Sequence, residues 1–287
     1  MNSHKPGQSR RLHGQTILLS ASVPSVTRSD KFRRIPDSQV QIEEAVVSLT
    51  RAILSEGGRL VSGGHPSISV LVGLVAGEYA LPMAVEEREG DISKREENES
   101  HAALIQIFQS EAYRDHLPDE TWQLFRYGFA TIHWTPAIDG ERYSPEVRDR
   151  PQCPKSLEAM RRAMIQETGP SAMICIGGME GLFEEAKLYR ELNQRGRIYT
   201  FEMTGGAASY LTEHVNGVEV IDRLILTSLD ESPPEWIKSE NEDEGYIHED
   251  NEAERQIRVI PYPIISQLLV QKMADREGHS SGRAEGR

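Results

Sequence analysis

The stretch Ala172-Met-Ile-Cys-Ile-Gly-Gly-Met-Glu-Gly-Leu-Phe-Glu-Glu-Ala186 decides how the chain is read. An apolar run of the kind that fills a strand buried on both faces stops at Gly177-Gly178. A helical pattern opens near Gly181 and carries Glu184 and Glu185 in its early turns. Bare backbone between a buried strand and a helix start lets a ligand approach main-chain amides, and the helix field there favours an anion. The plainer reading of the same residues is a tight turn followed by ordinary acids on a wet helix surface.

The device recurs on both sides of this stretch. Arg59-Leu-Val-Ser62 reads as a strand that stops at Gly63-Gly64-His65-Pro66-Ser67, with Pro66 suited to a first helical position. His65 is either a capping histidine or a proton donor, and Ser67 either bonds backbone or offers a hydroxyl to a ligand. Arg197-Ile-Tyr-Thr-Phe201 leads into Thr204-Gly205-Gly206, which is equally a plain turn or a close backbone approach. Near the start, Thr16-Ile-Leu-Leu-Ser20 is a short strand that runs into Ser20-Ala-Ser22. Helical spacing appears over 40–55, from Pro66 through Val75, and over 156–167. The last of these places Met160 and Met164 on a core face, flanked by Arg161 and Arg162. Such adjacent arginines are usually solvated, but one that reaches a site would grip phosphate bidentately.

Strands that alternate with helices predict an α/β fold, a Rossmann-like parallel sheet with helices on both faces. Ligands of such sheets sit beyond the carboxyl ends of the strands, and each Gly-Gly stop falls at that edge. The expected organisation is a flexible leader over 1–14, a single domain over 15–275 and a disordered tail over 276–287. Within the domain, the charged run 86–100 reads as an insertion and the acidic run 239–254 as a loop. Past Asp222 only Leu224-Ile-Leu226 and an apolar helix over 264–273 read as ordered.

A formal charge of −13 weakens nucleic acid as a partner, because phosphate backbones are bound by basic faces. It leaves a small phosphorylated ligand open. No apolar run approaches a membrane span, so no membrane partner is expected. The two cysteines, Cys153 and Cys175, fit a reducing cytoplasm better than a disulfide scaffold. The sequence shows neither a His-x-x-x-His pair nor a Walker phosphate loop, and no metal or cofactor is expected.

Taken in order, Ser20-Ala-Ser22, Leu60-Val-Ser-Gly-Gly64, the helix with Arg161-Arg162 and Gly177-Gly178 followed by Glu184 resemble the SLOG superfamily. That group joins Smf/DprA-like proteins, Lonely Guy hydrolases and ligand-sensing domains of melastatin-type channels and bacterial antiviral systems. The resemblance covers roughly residues 15–212. In Lonely Guy enzymes an arginine helix precedes Pro-Gly-Gly-x-Gly-Thr-x-x-Glu, and the arginine and glutamate serve cleavage of a nucleotide's N-glycosidic bond. By position Arg161 matches that arginine, with Arg162 one residue off, and Glu184 matches the acid. Ile176 replaces the proline, Glu180 the third glycine, and Gly181 stands where threonine is expected, so Glu184 and Glu185 both stay open as the functional acid. His65-Pro66-Ser67 also departs from the enzymes' glycine-rich first loop.

Those departures are closer to the sensor branches, which bind NAD-derived nucleotides such as ADP-ribose or cyclic forms of it. The resemblance therefore implies a nucleotide receptor, in antiviral defence, that assembles as a homo-oligomer and signals through a separate effector or signal-producing protein. The alternative it carries is a nucleotide N-glycoside hydrolase or transferase with Glu184, Glu185 and Arg161 as catalytic groups. The expected ligand-binding set is Ser20, Ser22, Gly63, Gly64, His65, Ser67, Arg161, Arg162, Gly177, Gly178, Met179, Glu180, Gly181, Glu184, Thr204, Gly205 and Gly206.

Overall fold

The computed structural model describes residues 10–24, 32, 38–89, 104–147, 152–223 and 260–281. Seven parallel strands form one sheet in the order β4-β3-β2-β1-β5-β6-β7. They are β1 (Thr16–Ser22), β2 (Arg59–Gly63), β3 (Ile105–Ser110), β4 (Thr131–Thr135), β5 (Ala172–Gly177), β6 (Arg197–Phe201) and β7 (Val218–Val220). The helices are α1 (Ser38–Ser55), α2 (Pro66–Glu89), α3 (Asp119–Arg126), α4 (Pro154–Thr168), α5 (Glu180–Leu192), α6 (Leu211–His214) and α7 (Tyr262–Ser281). The α/β, Rossmann-like arrangement expected from the sequence is what the chain forms.

The central strands explain why the sheet needs two helical layers. Every residue of β5 is buried, and β1 is almost as deeply covered. Alternate side chains of β1 therefore feed opposite cores. Ile17 and Leu19 join Ile42, Val46, Leu49, Val72, Ile174 and Leu269 in the layer of α1, α2 and α7. Leu18 joins Val61, Phe108, Met160, Met164, Met173, Leu182 and Tyr189 in the layer of α4 and α5. Each such aliphatic side chain contributes about 1.5–3 kcal/mol when fully buried. Truncating Leu19 to Ala would cost about 2–5 kcal/mol.

Helix ends follow the local chemistry. Pro66 opens α2 and Pro154 opens α4, where a missing N–H costs no helical hydrogen bond. Gly169 closes α4 in the left-handed region, its N–H donating to Ile165 O at 3.1 Å.

The structure shifts several expected boundaries. Leu12 is fully buried and its N–H donates to Glu56 O at 2.9 Å, so 10–14 packs onto the α1–β2 corner rather than forming part of a flexible leader. Helix α2 continues to Glu89, past the expected start of the charged insertion at 86, and α7 continues to Ser281, past the expected end of order at 275. Strand β7 was not expected, since three half-buried residues give no periodicity to read. The acidic run 239–254, the segment 224–226, and residues 1–9, 90–100 and 282–287 lie outside the described residues.

Candidate functional site

The chain fills the sheet outward from β1 through β2, β3 and β4, then crosses back to place β5 on the other side of β1. This makes β1 and β5 the topological switch point, where parallel sheets bind ligands. Their register ends with Ser22 opposite Gly177. Helix α5 then drops over this edge with Leu182, Phe183, Ala186 and Tyr189 buried.

Glu185 lies in that same buried stripe, one helical turn after Leu182. Its Oε2 accepts a hydrogen bond from Ser20 Oγ at 3.2 Å, so β1 and α5 meet through a carboxylate. The other oxygen, Oε1, is buried and has no hydrogen-bond partner. Burial pushes the Glu185 pKa above the usual carboxylate range, and the Arg161 charge and the Ser20 hydroxyl oppose that shift. Cys175 lies close by in β5, its thiol pKa pushed well up by burial and by the charge of Glu185.

Arg161 reaches this group from α4. Its side chain is only 12% exposed, with Nη1 donating to Glu184 Oε2 at 2.7 Å and Nε 3.9 Å from Glu185 Oε2. The guanidinium lies on the first turn of α5, and Nη2 sits 2.7 Å from where a Cβ on Gly181 would stand. A glycine at 181 therefore gives Arg161 its seat. A cation on the positive end of a helix is electrostatically unfavourable unless anions join it, and Glu184 and Glu185 are those anions. Glu184 stands on the rim with its side chain 68% exposed, so the two adjacent acids have different environments.

The glycine turns themselves do something other than expected. Gly177 N–H donates to Thr204 Oγ1 at 2.9 Å, and Gly178 N–H to Ser22 O at 2.7 Å. Gly64 N–H donates to Phe108 O and Gly205 N–H to Glu202 O. These four amides are engaged inside the protein, so they do not form the expected cradle for phosphate. The reason is steric and topological. Gly177 has φ +60°, and a Cβ there would meet Ile42 and lie 2.8 Å from Ser22 O, so the turn is folded back against its own sheet edge.

Thr204, Gly205 and Gly206 brace that turn. Ala207 N–H donates to Gly178 O at 3.0 Å, and a Cβ on Gly206 would stand 2.6 Å from Gly177 C. His65 Nδ1 faces Ser67 Oγ at 2.9 Å and accepts from Ser67 N–H, which makes it a cap on the first turn of α2. Ser67 Oγ also accepts from Val23 N–H at 3.3 Å, tying the β2 exit to the β1 exit. Gly63 lies beneath α4, where a Cβ would make ordinary van der Waals contact with Met160 Cε at 3.7 Å. Arg162 turns outward to Glu158 and Glu191, at 3.4 and 3.5 Å, and does not join Arg161. Glu180 is exposed at the start of α5, and Met179, the N-cap, supplies no side-chain acceptor.

The structure thus brings Ser20, Arg161, Gly181, Glu184 and Glu185 together, with Ser22, Gly177, Gly178 and Thr204–Gly206 as support. Two supporting residues were missed from the sequence. Gln109 donates through Nε2 to Gly64 O at 3.2 Å, and Asp222 accepts from Met203 N–H at 2.6 Å beneath the brace. A glutamine inside the apolar strand 105–110 was the available signal for the first. Asp222 followed an apolar segment and gave none. Among the described residues no cluster of histidine, cysteine, aspartate or glutamate is arranged to hold a metal ion, and no helix is long and apolar enough to cross a membrane.

Residues 92–227 match the model of the SLOG cluster3 family. The matched segment contains Arg161, Gly177–Gly178, Glu184, Glu185 and the 204–206 brace; Ser20 and the β2 exit precede it. A crystal structure of TM1055, a structural-genomics target, aligns with a TM-score of 0.40 at 11% identity over 74% of this chain and 88% of that one. No curated protein matches the chain.

Proposed function

We propose, from the premise that this chain belongs to the SLOG group, that it binds an NAD-derived nucleotide of the ADP-ribose class and acts as its sensor. Membership in that group supports nucleotide-related binding or processing. One observation carries the site: Arg161, nearly buried, is held at the start of α5 between one exposed and one buried carboxylate. A guanidinium there takes a phosphate bidentately. Glu185 Oε1, an acceptor without a partner, takes a sugar hydroxyl, and Ser20 orients the carboxylate that does so. The ligand is gripped by side chains on α4 and α5 rather than by the amides of Gly64, Gly177, Gly178 and Gly205, which are already committed. The antiviral role and homo-oligomeric assembly implied by the resemblance belong to this reading, with output passed to a separate protein.

A second reading is favoured by Glu185 itself. A buried carboxyl with a raised proton affinity beside a cation is the type of group that serves general acid or oxocarbenium-stabilising chemistry at an N-glycosidic bond. Calorimetric titration of the full chain with ADP-ribose, NAD and AMP, with the same mixtures assayed for free base, separates the two. Saturable binding without base release, weakened by Arg161→Ala, is the expected result. Base release abolished by Glu185→Gln would make it an enzyme, and neither binding nor turnover with any of the three would sink both.

A further inference from the structure

We infer that Glu184 is a built-in stand-in for the ligand's anionic group: it holds Arg161 by a hydrogen bond and must be displaced for a phosphate to bind. The inference rests on the reading of Arg161 as the phosphate-binding group and concerns how that group is regulated.

The two carboxylates near Arg161 are not equivalent partners. Glu185 is buried in the α5 stripe and fixed by Ser20, and at 3.9 Å from Nε it contributes charge but no hydrogen bond. Glu184 makes the hydrogen bond, 2.7 Å from Nη1, yet its own side chain is 68% exposed. An exposed carboxylate loses little when it swings into water, whereas a side chain 12% exposed, such as Arg161, loses much if left without an anion. The pair is therefore asymmetric. Glu184 can leave, and something anionic has to replace it.

Two neighbours make the departure easier. Glu180, one turn earlier on α5, places a like charge four residues from Glu184. Lys187, exposed three residues further on, offers the released carboxylate another cation on the same helix face. Arg162 does not compete for Glu184, being paired with Glu158 and Glu191. Gly181 keeps the first turn of α5 low enough for Nη2 to remain seated while Nη1 changes partner. The consequence is selection by charge. A neutral nucleoside offers nothing to exchange for Glu184, and a ligand carrying a diphosphate does.

The test uses the full chain as wild type, Glu184→Gln and Arg161→Lys, titrated calorimetrically with inorganic pyrophosphate and with ADP-ribose at low ionic strength. Glu184→Gln should bind both probes about two- to fivefold more tightly than wild type, the size expected from removing a competing exposed ion pair. The gain should shrink as salt is added. Arg161→Lys, which keeps the charge and loses the fork, should bind more weakly than wild type. Equal or weaker binding by Glu184→Gln, with wild-type binding still dependent on Arg161, would overturn the stand-in role and leave the phosphate site standing. Absence of binding by wild type and Glu184→Gln alike would remove the site and the stand-in together. Glutamine at 184 keeps an amide oxygen that accepts from Arg161 Nη1 but loses the charge, so the unfolding midpoint of Glu184→Gln should fall slightly while the fold is kept, and its unfolding curve identifies any folding artefact.

Discussion

The Gly-Gly pairs at 63–64 and 205–206 look alike in the sequence, each following a short strand that ends in the same rim, but the first lies against side chains and the second against backbone. A Cβ on Gly63 would make ordinary van der Waals contact with Met160 Cε at 3.7 Å, and one on Gly64 would stand 2.8 Å from the end of the Gln109 side chain. Gly206 is wedged against Gly177 C and Gly178 O, with φ +65°. The first pair lies against side chains whose ends can shift; the second is a spacer without which two loops cannot touch. The lesson is that a paired glycine reports backbone crowding of either kind, from a ligand or from the protein's own chain, and that the partner must be identified before a function is assigned.

Substituting each pair tests that distinction most severely. Gly206→Ala combines a left-handed backbone with overpacking and should lower the unfolding free energy by about 3 kcal/mol. Gly63→Ala should cost less than about 1 kcal/mol, since its new methyl meets only ordinary van der Waals contact. Urea unfolding of both variants checks this, and equal costs would erase the contrast.

Asp222 offers a pH test of the braced region. Burial pushes its carboxyl pKa up from 3.8 to about 7, while the N–H groups of Met203 and Arg223 oppose the shift. A carboxyl with a folded pKa above its unfolded one holds its proton more tightly when folded. Its contribution to stability is therefore present at low pH and falls as pH rises from about 4 towards 7. Over that window wild type should lose roughly 3 kcal/mol relative to Asp222→Asn. Parallel stability–pH curves for the two proteins would show that Asp222 does not titrate in this way.

A smaller effect separates seat from scaffold on α5. Alanine is the better helix former at 181, and that gain of about 1 kcal/mol should offset most of the cost of shifting Arg161, so Gly181→Ala should leave thermal stability nearly unchanged. Its methyl would displace the Arg161 guanidinium, and affinity for ADP-ribose should drop by about tenfold. The smallest effect belongs to Arg162→Ala, which removes only outward pairs and should change stability by less than about 0.5 kcal/mol and ADP-ribose affinity not at all. If Arg162→Ala weakens binding as Arg161→Ala does, the assignment of one arginine to the site and its neighbour to the surface is wrong.

Much of this arrangement was legible beforehand. The alternation of buried strands and helices determined the parallel sheet, and the fully apolar run 172–176 marked a central strand. The sequence also bore on the choice between Glu184 and Glu185, which the structure then settled. Leu182, Ala186 and Tyr189 repeat at helical spacing, which puts 185 on the buried face and 184 off it. Periodicity in α4 likewise placed Arg161 and Arg162 beside the methionine stripe, though not which of them would cross to α5.

By itself, then, the sequence determined the fold class and the sheet edge that carries the glycine turns, because these depend on local periodicity and on burial that every strand and helix must satisfy. Only the tertiary structure decided that the amides of Gly64, Gly177, Gly178 and Gly205 are bonded within the chain, that the third glycine pair braces the second, which of the two acids on α5 is buried, and that Arg161 sits on Gly181 between a fixed and a removable acid. Those outcomes depend on contacts between elements some twenty or more residues apart, and a turn, a spacer and a ligand cradle are all written with the same small residues.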